Sequence, residues 1–393
     1  MTKANRKGLG SSADWLIILE VSERSGANFL GELMKKHLLG LAVLAAASAA
    51  ATTASAQNVT ITGTMDVAVQ SNNTGVVSNR LVTSSVFRTS RLTLSGTEDL
   101  GGGLKAKFAH ETAIAVDTGA MTLGDRDSWV GLEGAFGEVR VGKTSNAATD
   151  VDSFVNAFGG NQGLFGGRWM STAELASDAG TTATAARTSI EGVGDKVNNS
   201  INYLSPVISG FQAHIQYGMG EAATQATKSN LDTTAFSLNY AAGPIKAVVA
   251  TAKQKRKGAT VTYGDIRQTG YGLQYDAGFA KVGLAAISQD RDTRSAGNTT
   301  SGTLLTANVP VGSGLSVFGA LHTIKIDGVS NTSSNATVLG VTKDLSKRTM
   351  VYASYANTSN DSGASYSITG QTAATATDGY DPRALSLGVR HLF

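Results

Sequence analysis

The chain has 393 residues, with 33 Lys and Arg against 30 Asp and Glu, and it contains no Cys. A net charge of +3 gives no basic excess that would favour nucleic acid binding, and the lack of Cys excludes disulfides and thiolate metal sites. Glycine is abundant, with 46 residues, whereas proline occurs only four times. Such a composition suits a protein built mostly of strands, in which proline is confined to turns and strand ends.

The N-terminal region has the three parts of a secretory signal peptide in their usual order. Met34 is followed by two lysines, residues 38–51 are almost continuously small or apolar, and residues 54–56 form a small-residue cleavage site before Gln57. The apolar run of 14 residues is too short to cross the ~30 Å hydrocarbon core as a helix. The sequence therefore predicts secretion rather than an N-terminal membrane helix.

These features divide the chain into three parts. We predict an upstream start that makes residues 1–33 a non-native extension, a signal peptide over 34–56, and a mature domain over 57–393. The first 56 residues hold six of the Lys and Arg and four of the Asp and Glu, which leaves 27 basic and 26 acidic residues in the remaining 337. The mature domain is therefore almost neutral.

Alternation of apolar and polar residues recurs from residue 57 to the C-terminus. The last segment has apolar side chains at Leu385, Leu387 and Val389 and ends on Phe393. Sixteen such segments occur, and most are about ten residues long, which is the length of a tilted transmembrane strand. They are residues 57–70, 84–97, 102–115, 125–134, 137–145, 195–205, 210–220, 231–241, 244–253, 265–276, 279–290, 301–310, 313–326, 333–344, 348–358 and 383–393.

The connections between these segments alternate in length. Seven are short turns and eight are longer stretches rich in Ser, Thr, Asn and Gly. Short turns on one side and longer loops on the other are typical of an outer-membrane β-barrel, in which the last strand pairs with the first and leaves no sheet edge. The sequence therefore predicts an all-β protein with a 16-stranded antiparallel transmembrane β-barrel.

The third loop, residues 146–194, is far longer than the others at roughly 50 residues. Its acidic start and its aromatic residues argue against a loop that is surrounded by water. The residues alone leave two arrangements open, an ordered extracellular cap and an inward fold that narrows the lumen. The residues concerned are Asp150, Asp152, Phe154, Phe158, Phe165, Arg168 and Trp169.

No pattern of catalytic or metal-binding residues is present. The four His residues after residue 57 are dispersed over predicted strands, without metal-ligand or Ser–His–Asp spacing. We therefore predict no enzyme activity, no metal and no cofactor. Three alternatives to a general pore remain: a substrate-specific channel, an adhesin that acts through its loops, and an outer-membrane hydrolase with His110 or His214 as the base.

Five motifs occur in order along the mature domain. They are T-S-R-L…S-G-T-E-D-L-G-G-G-L-K-A over 89–106, V-G-L…F-G-E-V-R-V-G-K over 130–143, N-N-S-I-N-Y-L-S-P over 198–206, L-S-K-R-T over 345–349 and G-V-R-H-L-F over 388–393. These motifs resemble those of the trimeric general porins of Gram-negative bacteria, in the β-proteobacterial branch. The resemblance covers essentially all of the mature domain. It implies a homotrimer in the outer membrane, with a water-filled pore in each subunit narrowed by an inward-folded third loop.

The resemblance also implies function and partners. Ions and small hydrophilic solutes would cross by passive diffusion. Outer-membrane lipid and lipopolysaccharide would surround the barrel, and the outer-membrane assembly machinery would recognise the C-terminal strand that ends in Phe393. No nucleic acid is expected as a partner.

Site residues come from the resemblance and from residue parity. The resemblance implies that Arg91 and Arg126 are wall arginines and that Lys196 replaces a third arginine. Parity independently directs Arg91 and Lys196 into the lumen, whereas Arg126 shares the parity of lipid-facing Val130, so that either a bulge intervenes or it lies at the rim. The full candidate set is Arg91, Lys107, Arg126, Arg140 and Lys196 as basic wall residues, Glu111 as an acidic wall residue, Asp150, Asp152 and Arg168 in the constriction loop, and Phe393 as the barrel-closing residue.

These charges predict a mild preference for anions. We expect the wall cations to be uncompensated at the neck and the loop carboxylates to oppose them, which would create a transverse field.

The signal peptide can be tested directly. N-terminal sequencing of the protein isolated from outer membranes should begin at Gln57, because cleavage follows the small residues at 54–56. A mature chain that retains Trp15 would contradict the predicted start and cleavage site.

Overall fold

A computed structural model describes the protein over residues 58–75, 77–158, 193–220, 232–255, 265–291, 299–364, 368 and 379–393. The predicted extension over 1–33, the signal peptide over 34–56 and Arg168 lie outside the described residues and remain predictions. The larger of two compact units comprises residues 56–99 and 103–393 and contains the barrel; the smaller comprises residues 1–55 and 100–102, of which only the last three are described.

Strands dominate the described residues and form one antiparallel sheet. None of the helices described there is long and apolar enough to cross a membrane. The strand segments are β1 Asn58–Asn73, β2 Ser78–Ser84, β3 Arg91–Gly101, β4 Leu104–Ala115, β5 Ala120–Thr122, β6 Ser128–Gly134, β7 Gly137–Ser145, β8 Lys196–Leu204, β9 Phe211–Gly218, β10 Thr233–Ala242, β11 Ile245–Gln254, β12 Ile266–Asp276, β13 Lys281–Arg291, β14 Thr299–Gly312, β15 Leu315–Ile326, β16 Ser334–Asp344, β17 Thr349–Asn360 and β18 Arg383–Leu392.

The sheet closes on itself where the last strand meets the first. β18 pairs with β1 from Thr64↔Leu392 to Asn73↔Arg383. Beyond β18, the Phe393 N–H donates to the Gly63 carbonyl at 3.2 Å and the Gly63 N–H donates to the Phe393 carbonyl at 3.0 Å. These two hydrogen bonds extend the seam to the C-terminal residue, at the point where the two ends of the sheet join into a ring.

Two barrel strands are interrupted. β1 pairs with both β2 and β3, so these segments are two halves of one barrel strand separated by residues 85–90. β4 likewise pairs with both β5 and β6, which are separated by residues 123–127. Counting each interrupted strand once turns 18 segments into 16 barrel strands, which confirms the predicted number.

The predicted continuous strands over 84–97 and 125–134 are wrong at these two places. In both, the ladder stops and resumes several residues later on the same neighbour, because the intervening residues leave the plane of the wall. The interruptions also change which side chains face the lumen.

Side chains alternate between the two faces of the wall. On β12, Tyr271 and Leu273 are 58% and 49% exposed on the outer face, whereas Gln268 and Gln274 are buried on the inner face. The same arrangement on β18 exposes Leu387 and buries Ser386. A wall that exposes large apolar groups outward and holds polar groups inward is the pattern of a transmembrane barrel.

The third loop begins inside the barrel. After a 3-10 turn over Ala147–Thr149, a short helix over Asp150–Val155, the loop helix, buries Val151 and Val155 completely. The Val155 side chain occupies the space that a Cβ at Gly272 would fill, and Thr306 Oγ1 donates to the Val155 carbonyl at 2.6 Å. Of the two predicted arrangements, the inward fold is therefore correct for residues 146–158; the rest of the loop, from 159 to 192, lies outside the described residues.

A glycine-to-alanine change tests this packing. A methyl group at Gly283 would overlap the Val155 carbonyl oxygen and lie 2.6 Å from Thr306 Oγ1. We expect Gly283→Ala to displace the loop helix, to raise single-channel conductance and to destabilise the barrel by about 1–3 kcal/mol. Gly319→Ala is the matched control, since Gly319 has the same parity as Val317 and Leu321 and therefore lies on the outer face, away from the loop helix. Equal conductance and thermal stability in both variants would contradict the packing.

Candidate functional site in the barrel lumen

Two predicted arginines share one carboxylate on the inner wall. Arg91 begins β3 and its Nε lies 3.4 Å from Glu111 Oε2 on β4. Arg126 Nε donates to Glu111 Oε1, and Thr93 Oγ1 donates to Oε2 at 3.1 Å. One glutamate therefore balances two guanidinium groups, and the cluster keeps a net positive charge.

The position of Arg126 follows from the second interruption. Parity with Val130 directs Arg126 towards lipid, but residues 123–127 are outside the ladder and do not keep that parity. The backbone turns so that the Glu111 N–H donates to the Asp127 carbonyl at 2.7 Å, which brings Arg126 against the Glu111 side chain. The strand is therefore broken before Arg126, instead of carrying a bulge within a continuous strand.

A second cluster lies on β4, β6 and β7. Lys107 Nζ is 2.7 Å from Glu133 Oε2 and 3.3 Å from Glu138 Oε2. Arg140 binds the same Glu138 through two hydrogen bonds of 2.8 and 3.0 Å, and its guanidinium lies 4.4 Å from the centre of the Trp129 ring. Paired hydrogen bonds and ring stacking fix the orientation of this arginine.

Lys196 forms the third charged contact. Its Nζ lies 2.6 Å from Asp127 Oδ1 and 2.6 Å from Ser145 Oγ. All five predicted wall cations thus lie within 4.0 Å of a carboxylate, but Arg91 and Arg126 share Glu111, so these cations are paired without being fully neutralised. Lys107 and Arg91 find their partners on neighbouring strands, and pairing of this kind depends on register, which the sequence did not reveal.

Asp150 anchors the third loop to the wall. Its Oδ2 lies 3.3 Å from His214 Nδ1 and accepts hydrogen bonds from Ser237 Oγ at 2.5 Å and Asn239 Nδ2 at 3.0 Å. Burial acts to raise the pKa of Asp150, but these contacts outweigh it and leave that pKa below its ordinary value. The Asp150 carboxylate is thus bound to wall residues, and it does not oppose the wall cations across the lumen as we expected. Asp152 lies half-buried on the same helix.

An aromatic cluster attaches the loop at a second point. Phe158 lies with its ring centre 6.1 Å from that of Phe87 and 5.0 Å from that of Phe318. Phe87 also packs against Tyr352 at 5.2 Å. Phe87 belongs to the interrupted segment 85–90, so the loop contacts the wall where the first interruption enters the lumen.

Comparison with known proteins identifies the family. Residues 40–364 match the model of the Gram-negative porin family. The chain is 31% identical over 374 residues to outer membrane porin protein 32 of Delftia acidovorans, and the alignment covers 92% of this chain and 100% of that protein. The chain belongs to the Gram-negative porin family.

Structural similarity agrees with the family. The porin superposes on an anion-selective porin from Comamonas acidovorans with a TM-score of 0.70 and 27% identity, covering 86% of this chain and 100% of the other. It shares the fold alone with OmpT of Vibrio cholerae, at a TM-score of 0.62 and 14% identity. The chain is therefore an outer-membrane pore for passive diffusion rather than an enzyme, and the specific-channel, adhesin and hydrolase alternatives are not favoured.

The porin has two further lumen arginines that sequence reasoning missed. Arg88 follows Phe87 in the segment 85–90, and Arg390 on β18 places its guanidinium 5.6 Å from the centre of the Phe87 ring. The parity of Arg390, opposite to that of Leu387 and Val389, was a usable signal. The sequence carries no such signal for Arg88, because the predicted continuous strand over 84–97 directs its side chain outward.

Among the described residues of the porin, no group of three or more His, Asp or Glu side chains is arranged so that it could hold a metal ion.

Removing the shared carboxylate should strengthen any preference for anions. In Glu111→Gln, Arg91 and Arg126 keep their charges and lose their common partner. One unit charge at ~4 Å contributes about 1 kcal/mol in water, or about fivefold, and acts with opposite sign on anions and cations, so we expect the anion-to-cation permeability ratio to rise by at most about 25-fold at low salt. Reversal potentials under a salt gradient give this ratio.

Glu98→Gln is the control, since Glu98 lies near the end of β3 at the opposite parity and forms no ion pair among the described residues. A ratio that is unchanged in Glu111→Gln, or equally changed in both variants, would show that Glu111 does not act on permeating ions.

Proposed function

We propose that this porin is a general diffusion pore with a mild preference for anions. The observation that carries the proposal is the excess of cations over carboxylates in the wall clusters. Eight cations face five carboxylates: Arg88, Arg91, Lys105, Lys107, Arg126, Arg140, Lys196 and Arg390 against Asp66, Glu111, Asp127, Glu133 and Glu138.

The mechanism needs no tight binding. Hydrophilic solutes cross along polar, hydrated wall residues and so avoid the cost of entering hydrocarbon. The third loop limits the size of solutes, because its start occupies part of the lumen. The excess of wall cations lowers the energy of an anion relative to a cation, and salt weakens the effect because the Debye length is ~10 Å at 0.1 M.

The site residues have distinct roles in this proposal. Arg91, Arg126 and Lys196 form the cationic side of the filter, and Lys107 and Arg140 extend it along β4 and β7. Asp150 anchors the constriction loop to which Asp152 and Arg168 also belong. Phe393 closes the barrel and ends the strand that the assembly machinery would recognise.

The proposed assembly is a homotrimer surrounded by outer-membrane lipid and lipopolysaccharide. The resemblance to trimeric general porins supports the oligomeric state. The exposed apolar outer face supports contact with lipid and with neighbouring subunits; Val69, Val82 and Leu387, for example, are each more than half exposed. The Comamonas relative is an anion-selective porin, and its similarity to this chain supports the sign of the ion preference.

Conductance in planar bilayers tests this proposal. We expect steps in groups of three, and a reversal potential under a KCl gradient that favours chloride. The double variant Arg91→Gln with Lys196→Gln should shift the reversal potential towards cations, and Arg348→Gln, in an exposed turn, should not. A cation-selective wild type would refute the preference, and current that saturates with one solute would instead favour a specific channel.

A further inference from the structure

Two lumen arginines differ from the paired cations of the wall. Within the described part of the chain, neither Arg88 nor Arg390 has a carboxylate within 4.0 Å, whereas Arg91, Arg126 and Lys196 each have one. The two arginines are also close neighbours, because Arg390 stacks on the ring of Phe87, the residue that directly precedes Arg88. Their positive charge is therefore available to an ion in the lumen.

Stacking holds Arg390 without neutralising it. The guanidinium lies 5.6 Å from the centre of the Phe87 ring, within the ~6 Å range of a cation–π contact. Its Nε is buried and has no hydrogen-bond partner among the described residues. A buried donor without an acceptor is unfavourable, so an acceptor that reaches this group would be stabilised.

Arg88 is fixed through its backbone. The Asp66 carboxylate accepts the N–H groups of Val86, Phe87 and Arg88 at 3.1, 3.3 and 3.0 Å, and the hydroxyl of Tyr352 at 2.9 Å. These four bonds occupy the carboxylate, and among the described residues Asp66 forms no ion pair with either arginine. The segment 85–90 is therefore held in place before any ion arrives, which lowers the entropic cost of binding one.

The two arginines lie where the pore is narrowed. Phe87 stacks under Arg390 and directly precedes Arg88, and its ring centre is 6.1 Å from that of Phe158 in the third loop. The two arginines therefore lie beside the aromatic cluster that attaches the start of the third loop to the wall.

We propose that Arg88 and Arg390 form a weak, reversible binding step for doubly charged oxyanions such as sulfate. Guanidinium groups match the geometry of oxyanions through paired N–H donors, and one dianion balances both charges. The step rests on the proposed anion preference and is separate from the Arg91–Glu111–Arg126 cluster, in which a carboxylate already occupies the guanidinium groups.

Inhibition of chloride current by sulfate tests the proposal. The current of single wild-type channels is measured in dilute KCl as potassium sulfate replaces KCl at constant ionic strength. We expect a decrease beyond simple dilution of chloride that saturates with sulfate. Arg88→Gln and Arg390→Gln, made separately, should each raise the half-inhibiting sulfate concentration about fivefold or more. Channels that insert and conduct show that each variant has folded.

Two further comparisons sharpen the test. Electrostatic energy scales with the charge of the ion, so each variant should change chloride permeability by only about the square root of its effect on sulfate. Arg348→Gln, the control in an exposed turn, should retain the wild-type sulfate response.

The outcomes separate this inference from the proposed function. A wild type that prefers cations refutes the anion preference itself. If the wild type prefers chloride but sulfate gives no saturable inhibition, or if both arginine variants keep the wild-type half-inhibiting concentration, the binding step is refuted and the anion preference stands.

Discussion

The structure depends on the pairing of the first strand with the last. Inside hydrocarbon, an unpaired N–H or carbonyl costs several kcal/mol, so a sheet can span the membrane only when it has no edge. Ten residue pairs between β1 and β18, and the exchange of backbone hydrogen bonds between Gly63 and Phe393, meet that requirement. Once the ring is closed, alternation along each strand gives one face to lipid and the other to the lumen.

The lumen departs from a simple barrel interior at the places where the regular strands are interrupted. Residues 85–90 and 123–127 leave the wall between halves of a strand, and they bring Arg88 and Arg126 into the pore. On the other side of the lumen, small residues on the wall leave space for the loop helix. Asp66 and Asp150 act alike, because each uses its carboxylate to hold a non-strand segment against the wall. Arg88 and Arg126 are therefore positioned by local departures from the strand, whereas the other lumen cations, such as Arg91 and Arg140, lie on the strands themselves.

Much of this architecture was predictable from the sequence. Strand number and closure follow from alternation of period two, which is strong when lipid faces one side of a sheet. The first interruption was not predictable, because residues 85–90 combine Ser and Thr with Val and Phe and are compatible with either loop or strand. Ion pairing was missed for a different reason. The contact of Lys107 with Glu133 depends on which residues oppose each other across two strands, and a single sequence does not fix that register.

Accessibility of adjacent cysteines tests the central claim most directly. The chain has no native Cys, so Thr93→Cys and Leu94→Cys each introduce a single thiol, on the inner and the outer face of β3. A charged, membrane-impermeant thiol reagent should change the single-channel current of Thr93→Cys and leave that of Leu94→Cys unaltered. An equal response at both positions, or a response at Leu94→Cys alone, would contradict a wall whose successive side chains face water and lipid in turn.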